Sequence, residues 1–473
     1  MMQWRLPRVH PPLWRLALIV GLFAAGLAMM EAGARPGLRP SAEWFDGKRQ
    51  ALISADLSYR LGDVLELIGR RSSLDTDGLS HDFRERAVAA YERLALGSPH
   101  SAGALHRLGL IYGARGYSTQ ARDMLGRGAA QAGEQAAALL AVARVYDPDP
   151  PPSSQGDGPP PALLEHDGWL GDMALIAWAD RFGTAAQVRQ YRAQADLRTL
   201  RFGLVLAALT LTYGLIGLVG LVTMTLGVVR WAFFLPPENR RQPSMSLPWG
   251  PLDAVETAGV AFFAAAALAL VAGVLQGLPL LQSAPPVGRV ALAILQYLLL
   301  AAAVLALIWA RLPSGRRGLA LLGLRGRRLA PLIASGMVGY GLVLCLLILA
   351  NLVGLNALPT ASAADPLLAV TQDARAVVLL YLFVCAIVPL VEEIIFRGFV
   401  YAGLRQGYPV ISATLGSALL FAVMHYSVTA LVPMGIIGAV LANLYERTRS
   451  LLPPFICHAL HNLLVLTVIV ATR

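Results

Sequence analysis

The chain has 473 residues, 56% of them hydrophobic and only 14% charged. Soluble globular proteins carry about 25% charged residues, so much of this sequence is built to meet lipid rather than water. The net charge of +10 comes almost wholly from arginine, Lys48 being the one lysine, and the arginines flank apolar runs, which points to membrane orientation and away from nucleic acid.

In chain order, residues 1–30 read as a signal anchor or a cleavable signal peptide. Arg5, Arg8 and Arg15 precede an apolar run from Leu16 to Met30, followed by Ala32-Gly33-Ala34. Either way the segment that follows is expected outside. Residues 31–146 are polar enough to fold in water as an exported helical domain. Within them Ala87, Tyr91, Leu94 and Pro99 recur in type 34 residues on as Ala121, Leu125 and Gly128. Leu105, Leu108, Gly109, Tyr112, Gly116 and Tyr117 lie between. This stretch, about 84–130, resembles the tetratricopeptide pattern, whose period is about 34 residues. Small residues at Gly109 and Ala121 would let two helices pack closely; an ordinary helical hairpin is the plainer alternative. Such a domain implies a protein partner by analogy of fold.

Residues 147–161, DPDPPPSSQGDGPPP, form a proline-rich linker without a core. Residues 162–202 hold a helical segment with Trp169, Leu170, Met173, Ile176 and Trp178, either lying near the membrane surface or packed in the exported domain. Residues 203–256 supply a transmembrane span and a cytoplasmic loop, and 257–473 an intramembrane domain. Apolar runs predict spans near 203–228, 257–281, 289–310, 329–355, 375–395, 410–427, 429–446 and 452–472. With the N-terminal run the fold class is all-α, a polytopic helical membrane protein of about eight or nine spans, because backbone groups in lipid must bond internally. The loop from Arg311 to Arg328 has six arginines and no acid, and Arg230, Arg240, Arg241, Arg447 and Arg449 fall on the same side as it in a nine-span arrangement. That side is expected to be the cytoplasm. The expected location is a multi-pass cell membrane, the bacterial inner membrane, with the N-terminal domain extracytoplasmic.

Cys345, Cys385 and Cys457 all lie in apolar runs and no C-x-x-C pair occurs, which excludes a disulfide framework and a cysteine-rich zinc site. The chemistry concentrates in three apolar stretches. Val388-Pro389-Leu390-Val391-Glu392-Glu393-Ile394-Ile395-Phe396-Arg397-Gly398 carries two acids and an arginine, and ionisable groups at membrane depth mark function. Glu393 and Arg397 are spaced i, i+4 and can pair, which offsets their burial. Glu392, about 100° away around the helix, is then left for general-base work. Phe421 precedes His425 by one turn, and His458, His461 and Asn462 share one helical stretch. A carboxylate, two imidazoles and an amide can activate water and hold an oxyanion. A purely structural ion network is the bland alternative for the two acids and the arginine alone.

In this order Glu392-Glu393…Arg397, Phe421…His425 and His458…Asn462 resemble the EExxxR, FxxxH and HxxxN motifs of the CAAX prenyl protease and bacteriocin-processing family of intramembrane endopeptidases, which includes abortive-infection-type proteins. The motif region covers about 375–470, the spans from 257 to 472 would complete the domain, and residues 1–230 do not match the pattern. The resemblance implies hydrolysis of a peptide bond in a membrane-associated protein or peptide. Glu392 would activate water with His425, His458 and Asn462 would stabilise the oxyanion, and Glu393, Arg397 and Phe421 would support them. No cofactor is fixed by these residues. Zinc is the metal that Glu392, His425 and His458 could hold, although the compact H-E-x-x-H signature is absent. Prenylated substrates are not implied. The alternatives are a non-catalytic membrane scaffold or bacteriocin-immunity protein that keeps the protease fold, and a transporter.

The resemblance carries a geometric demand. Straight up-and-down spans would put Glu392 and His458 near the cytoplasmic ends of their helices and His425 near the outer end of its own. Convergence therefore predicts a bend at Pro389, or a segment 396–412 that re-enters the membrane.

Overall fold

The computed structural model describes residues 13–33, 47–97, 102–130, 136–147, 158–160, 163, 168–233, 247–276, 285–313, 316–324, 329–353, 373–425 and 430–471, and they are helical with short connections. Most of the 147–161 linker, and Arg5, Arg8, Arg240 and Arg241, lie outside them. The chain forms two compact units: Asp46–Leu211 with Thr467–Arg473, and Met1–Phe45 with Thr212–Leu466. One helix, Ala185–Phe233, contributes to both, so the expected boundary between residues 202 and 203 falls inside a continuous helix.

The first unit is made of helix pairs: Gly47–Arg71 with Asp77–Gly97, then Ala102–Ala114 with Ser118–Ala129. In the first pair Ser80 Oγ donates to the Gly62 carbonyl at 2.9 Å and Thr76 Oγ1 to that of Leu65 at 2.6 Å, which ties the turn down. In the second pair the helices approach at Gly109, where a Cβ would lie 2.9 Å from Leu125 Cδ2 and 3.1 Å from the Ala121 carbonyl. The small residues singled out in the sequence thus sit at this contact. Trp169 and Trp178 are buried in apolar clusters of the same unit, so Gly168–Phe182 is a packed helix and not one lying free on a surface.

At the centre of this unit Asp56 accepts two hydrogen bonds from Arg107, Nε to Oδ1 at 2.5 Å and Nη2 to Oδ2 at 2.6 Å, and a third from Tyr91 Oη at 2.6 Å. Removing one partner of a buried ion pair costs about 3–5 kcal/mol because the other charge is stranded. Asp56→Ala is therefore expected to lower the stability of this unit by about that amount in a denaturant titration. An unchanged midpoint would mean the pair does not hold the fold.

In the second unit the N-terminal helix Leu13–Gly33 packs along Pro251–Gln276. Arg15 Nη2 pairs with Asp253 at 2.7 Å and its Nε donates to Glu256 at 3.2 Å, while the Phe23 and Phe262 rings lie 5.2 Å apart. Helix Leu329–Leu352 crosses the later part of Ala185–Phe233 at glycines: a Cβ on Gly341 would lie 2.8 Å from Gly220 Cα. Contact this close between backbones is the means by which apolar helices associate in lipid.

Among the described residues six helices are long and apolar enough to cross a membrane: Ala185–Thr223, Pro251–Val271, Val287–Trp309, Leu329–Leu352, Ala374–Gly407 and Leu452–Val470. Two differences from the expected spans shape the site. The helix predicted to stop near 395 runs on to Gly407. The helix predicted for 410–427 is Val410–Val423, 14 residues, roughly 21 Å at 1.5 Å per residue. That is short of the roughly 30 Å hydrocarbon core.

Candidate active site

Helix Ala374–Gly407 starts at Asp373, whose side chain accepts from the Arg375 amide at 2.9 Å, an N-cap. It is not a uniform α-helix. Phe383–Ile387 and Ile394–Tyr401 are π-helical, and the short α-helical stretch between them is Val388–Glu393. The two carboxylates therefore sit in an α-turn held between two widened ones, a feature common at functional positions. Pro389 lies inside the continuous helix Ala374–Gly407, just after the first π segment, where its missing N–H leaves a carbonyl of the preceding turn without an in-helix donor.

Residues 396–407 continue the helix that carries the two acids, and the chain turns only after Gly407. Tyr408 and Pro409 break the helix, Tyr408 extended ahead of the proline, and a new helix begins at Val410. Glu392 lies 15 residues before Gly407 (407 − 392), and His425 lies 15 residues after Val410 (425 − 410). Counted from one tight turn, both are roughly 22 Å along their elements. The short second helix stops where the carboxylates are.

Glu393 and Arg397 are fully buried and paired, Nη1 to Oε1 at 3.1 Å, as their spacing predicts. Arg397 Nη2 also donates to the Gly438 carbonyl at 3.3 Å, a partner with no signal in the motifs. His458 meets the same Glu393 oxygen through Nδ1 at 2.9 Å. A carboxylate only accepts, so Nδ1 carries the proton and Nε2 faces the other acid, 3.8 Å from Glu392 Oε2. That distance is too long for a hydrogen bond. Glu392 Oε2 is buried and has no hydrogen-bond partner, as are Glu393 Oε2 and Arg397 Nε.

His425 Nδ1 donates to the Phe421 carbonyl at 2.9 Å. A carbonyl only accepts, which fixes the tautomer and leaves Nε2 as an acceptor. The Phe421 ring is the hub of the site. It lies 4.8 Å from the His425 ring, 5.7 Å from the His458 ring and 4.4 Å below the Arg397 guanidinium. Both imidazoles and the arginine are thus gathered around one aromatic side chain, in a cation–π and edge-on arrangement. Phe421 is itself fully buried and packs edge-on against Phe396 at 5.3 Å.

Asn462 is one turn beyond His458 on helix Leu452–Ala471, and its Nδ2 donates to the Val384 carbonyl at 2.8 Å. One of its two N–H groups is therefore engaged with the first π segment. His461 packs edge-on against Tyr340, ring centroids 6.1 Å apart.

The residues do not fit the zinc set. A catalytic zinc takes three protein ligands, and among the described residues no three His, Cys, Asp or Glu side chains come together in a way that could hold a metal ion. His458 and Glu392 approach each other, but His425 does not complete a triad with them, and no step below uses a metal.

Residues 374–464 match the family model described as type II CAAX prenyl endopeptidase Rce1-like. This is 91 of the 473 residues (374 to 464 inclusive), and it contains Glu392, Glu393, Arg397, Phe421, His425, His458 and Asn462. The family is the one the three motifs resemble. Comparison with curated proteins and with solved structures gave no match.

Proposed function

We propose that the chain is an intramembrane endopeptidase that hydrolyses a peptide bond of a membrane-associated protein or peptide. One observation carries this reading: of two adjacent acids, the fully buried Glu393 is neutralised by Arg397 and His458, while the half-buried Glu392, its side chain 23% exposed, keeps one buried oxygen without a hydrogen-bond partner, 3.8 Å from His458 Nε2. A carboxylate that no hydrogen bond holds, and that water can still reach, suits a base, and the neighbouring charges are already compensated. The match of residues 374–464 to a peptidase family supports the same conclusion.

In this reading a water molecule lies between Glu392 and the Nε2 acceptor of His425. Glu392 takes one proton from it as the oxygen adds to the scissile carbonyl, and the carbonyl oxygen becomes an oxyanion. Asn462, through its second N–H, and His458 Nε2 face that oxygen. With Nδ1–H given to Glu393, Nε2 donates only when the ring is an imidazolium. The proton held by Glu392 then passes to the departing nitrogen as the C–N bond breaks, giving a carboxylic acid and an amine; His425 Nε2 takes the remaining water-derived proton from the acid and hands it to the amine, so a carboxylate and an ammonium result. One water is consumed per bond. Donors placed where charge develops are worth about 10²–10³ in kcat each.

In the same proposal the arginine-rich loops lie on the cytoplasmic side, which puts the helical domain of residues 31–146 outside, where it would recruit a protein partner. Purified chain in vesicles with a membrane-embedded peptide should release two fragments. His425→Ala should slow release by about 100-fold, the usual range for loss of a general acid–base group. Turnover equal to that of the unaltered chain would remove His425 from the mechanism.

A further inference from the structure

The two π segments flanking Glu392 and Glu393 are held from outside. Trp249 Nε1, just ahead of helix Pro251–Gln276, donates to the Phe399 carbonyl at 3.0 Å, and its ring stacks on Phe399 with centroids 5.0 Å apart. Ser417 Oγ, on Val410–Val423, donates to the Phe396 carbonyl at 3.3 Å, and Ser417 is fully buried. Asn462 Nδ2 donates to Val384 in the first segment. Three side chains from three different parts of the chain thus bond to main-chain carbonyls of the π turns. A carbonyl has two lone pairs and can accept an outside donor beside an in-helix one, and the Val384 carbonyl stands five residues before Pro389, which has no N–H to give it.

The geometry points to Trp249 and Ser417 as positioning residues that hold the Ile394–Tyr401 π segment and thereby set the rotational phase of Glu392. The far end of this helix is fixed independently: Tyr401 Oη donates to Glu446 at 2.9 Å and Arg405 pairs with Glu446 at 3.2 Å. If the π segment relaxed to α-geometry, one residue of phase would be lost against that fixed end. One residue is about 100° of rotation. Glu392 would then leave the face it shares with His458 Nε2. The room for Trp249 is made by Gly403, where a Cβ would lie 2.9 Å from Trp249 Cδ1. Trp249 lies outside the matched residues 374–464, so the family pattern contains no trace of it.

The activity arm of the test rests on the peptidase reading; the structural arm does not. Trp249→Phe keeps an aromatic ring and removes the donor, and Ser417→Ala removes the hydroxyl. For each, and for the double variant, turnover of a membrane peptide and hydrogen–deuterium exchange by mass spectrometry are measured. The expected result is a kcat about tenfold lower with KM changed less than about twofold, since misplacement of a catalytic group spares binding. Exchange should quicken within residues 383–407 and stay unchanged in the other helices. Exchange in 383–407 equal to that of the unaltered chain would overturn the proposal, as would faster exchange throughout the bundle, which marks a merely structural role. If Glu392→Gln leaves turnover intact, the peptidase reading falls, while the exchange result still decides whether the latches hold the π segment. If Trp249→Phe does not fold, Ser417→Ala decides alone.

Discussion

Glu392→Gln is expected to lower kcat by about 1,000-fold, within the 10²–10⁴ that a general base contributes, and to leave the protein folded. Glutamine has the shape of glutamate and cannot take a proton from water. Glu392 Oε2 makes no hydrogen bond that the amide would forfeit, and the neighbouring charges are balanced among Glu393, Arg397 and His458. The thermal midpoint should therefore move by less than about 2 °C, which for a unit of this size corresponds to under about 1 kcal/mol. Steady-state turnover and a thermal melt of the same preparation check both halves. A large drop in the midpoint would show that Glu392 is part of the structural network instead.

Arg397→Met should behave in the opposite manner. Arg397 is fully buried and serves three partners: the Glu393 carboxylate, the Gly438 carbonyl and the face of Phe421. Its removal leaves Glu393 charged and buried with only His458 beside it, a cost of about 3–5 kcal/mol. The variant should unfold at markedly lower denaturant, and activity should be lost together with the fold. Arg397→Lys should recover only part of the loss, because an ammonium restores the charge but not the planar fork that spans two acceptors and stacks on a ring. Stability of Arg397→Met equal to that of the unaltered chain would contradict the division of labour between the two glutamates.

Much of this division is legible in sequence because it depends on local spacing. Glu393 and Arg397 are four apart on a helix, and the helix period brings them together whatever lies around them. The gathering of three distant stretches is legible for a different reason: polar groups in apolar runs are costly, and several of them are accounted for most simply by one shared site. Other features have no local signature. Pro389 follows Phe383–Ile387 and Gly398 lies within Ile394–Tyr401, and both weaken a regular α-helix, but neither by itself specifies a π turn. The distinction comes from donors such as Trp249, 150 residues away in the chain. The extension of the helix to Gly407 is not marked by apolar residues alone, since it carries Arg397 and Arg405, both paired in the fold. Phe421 reads as a packing residue one turn from His425; its place between two imidazoles and a guanidinium follows only from tertiary structure. The engagement of Asn462 with Val384 is likewise invisible to a motif that records only its spacing from His458.

The central claim is that Glu392 activates water for peptide-bond cleavage in the membrane. It is tested most directly by incubating the purified chain and its Glu392→Gln variant, each in vesicles, with a membrane peptide pool in water enriched in oxygen-18, and sequencing the new termini by mass spectrometry. The account predicts new C-termini that carry oxygen-18 with the unaltered chain and none above background with the variant. The same termini at the same rate with both proteins would contradict it.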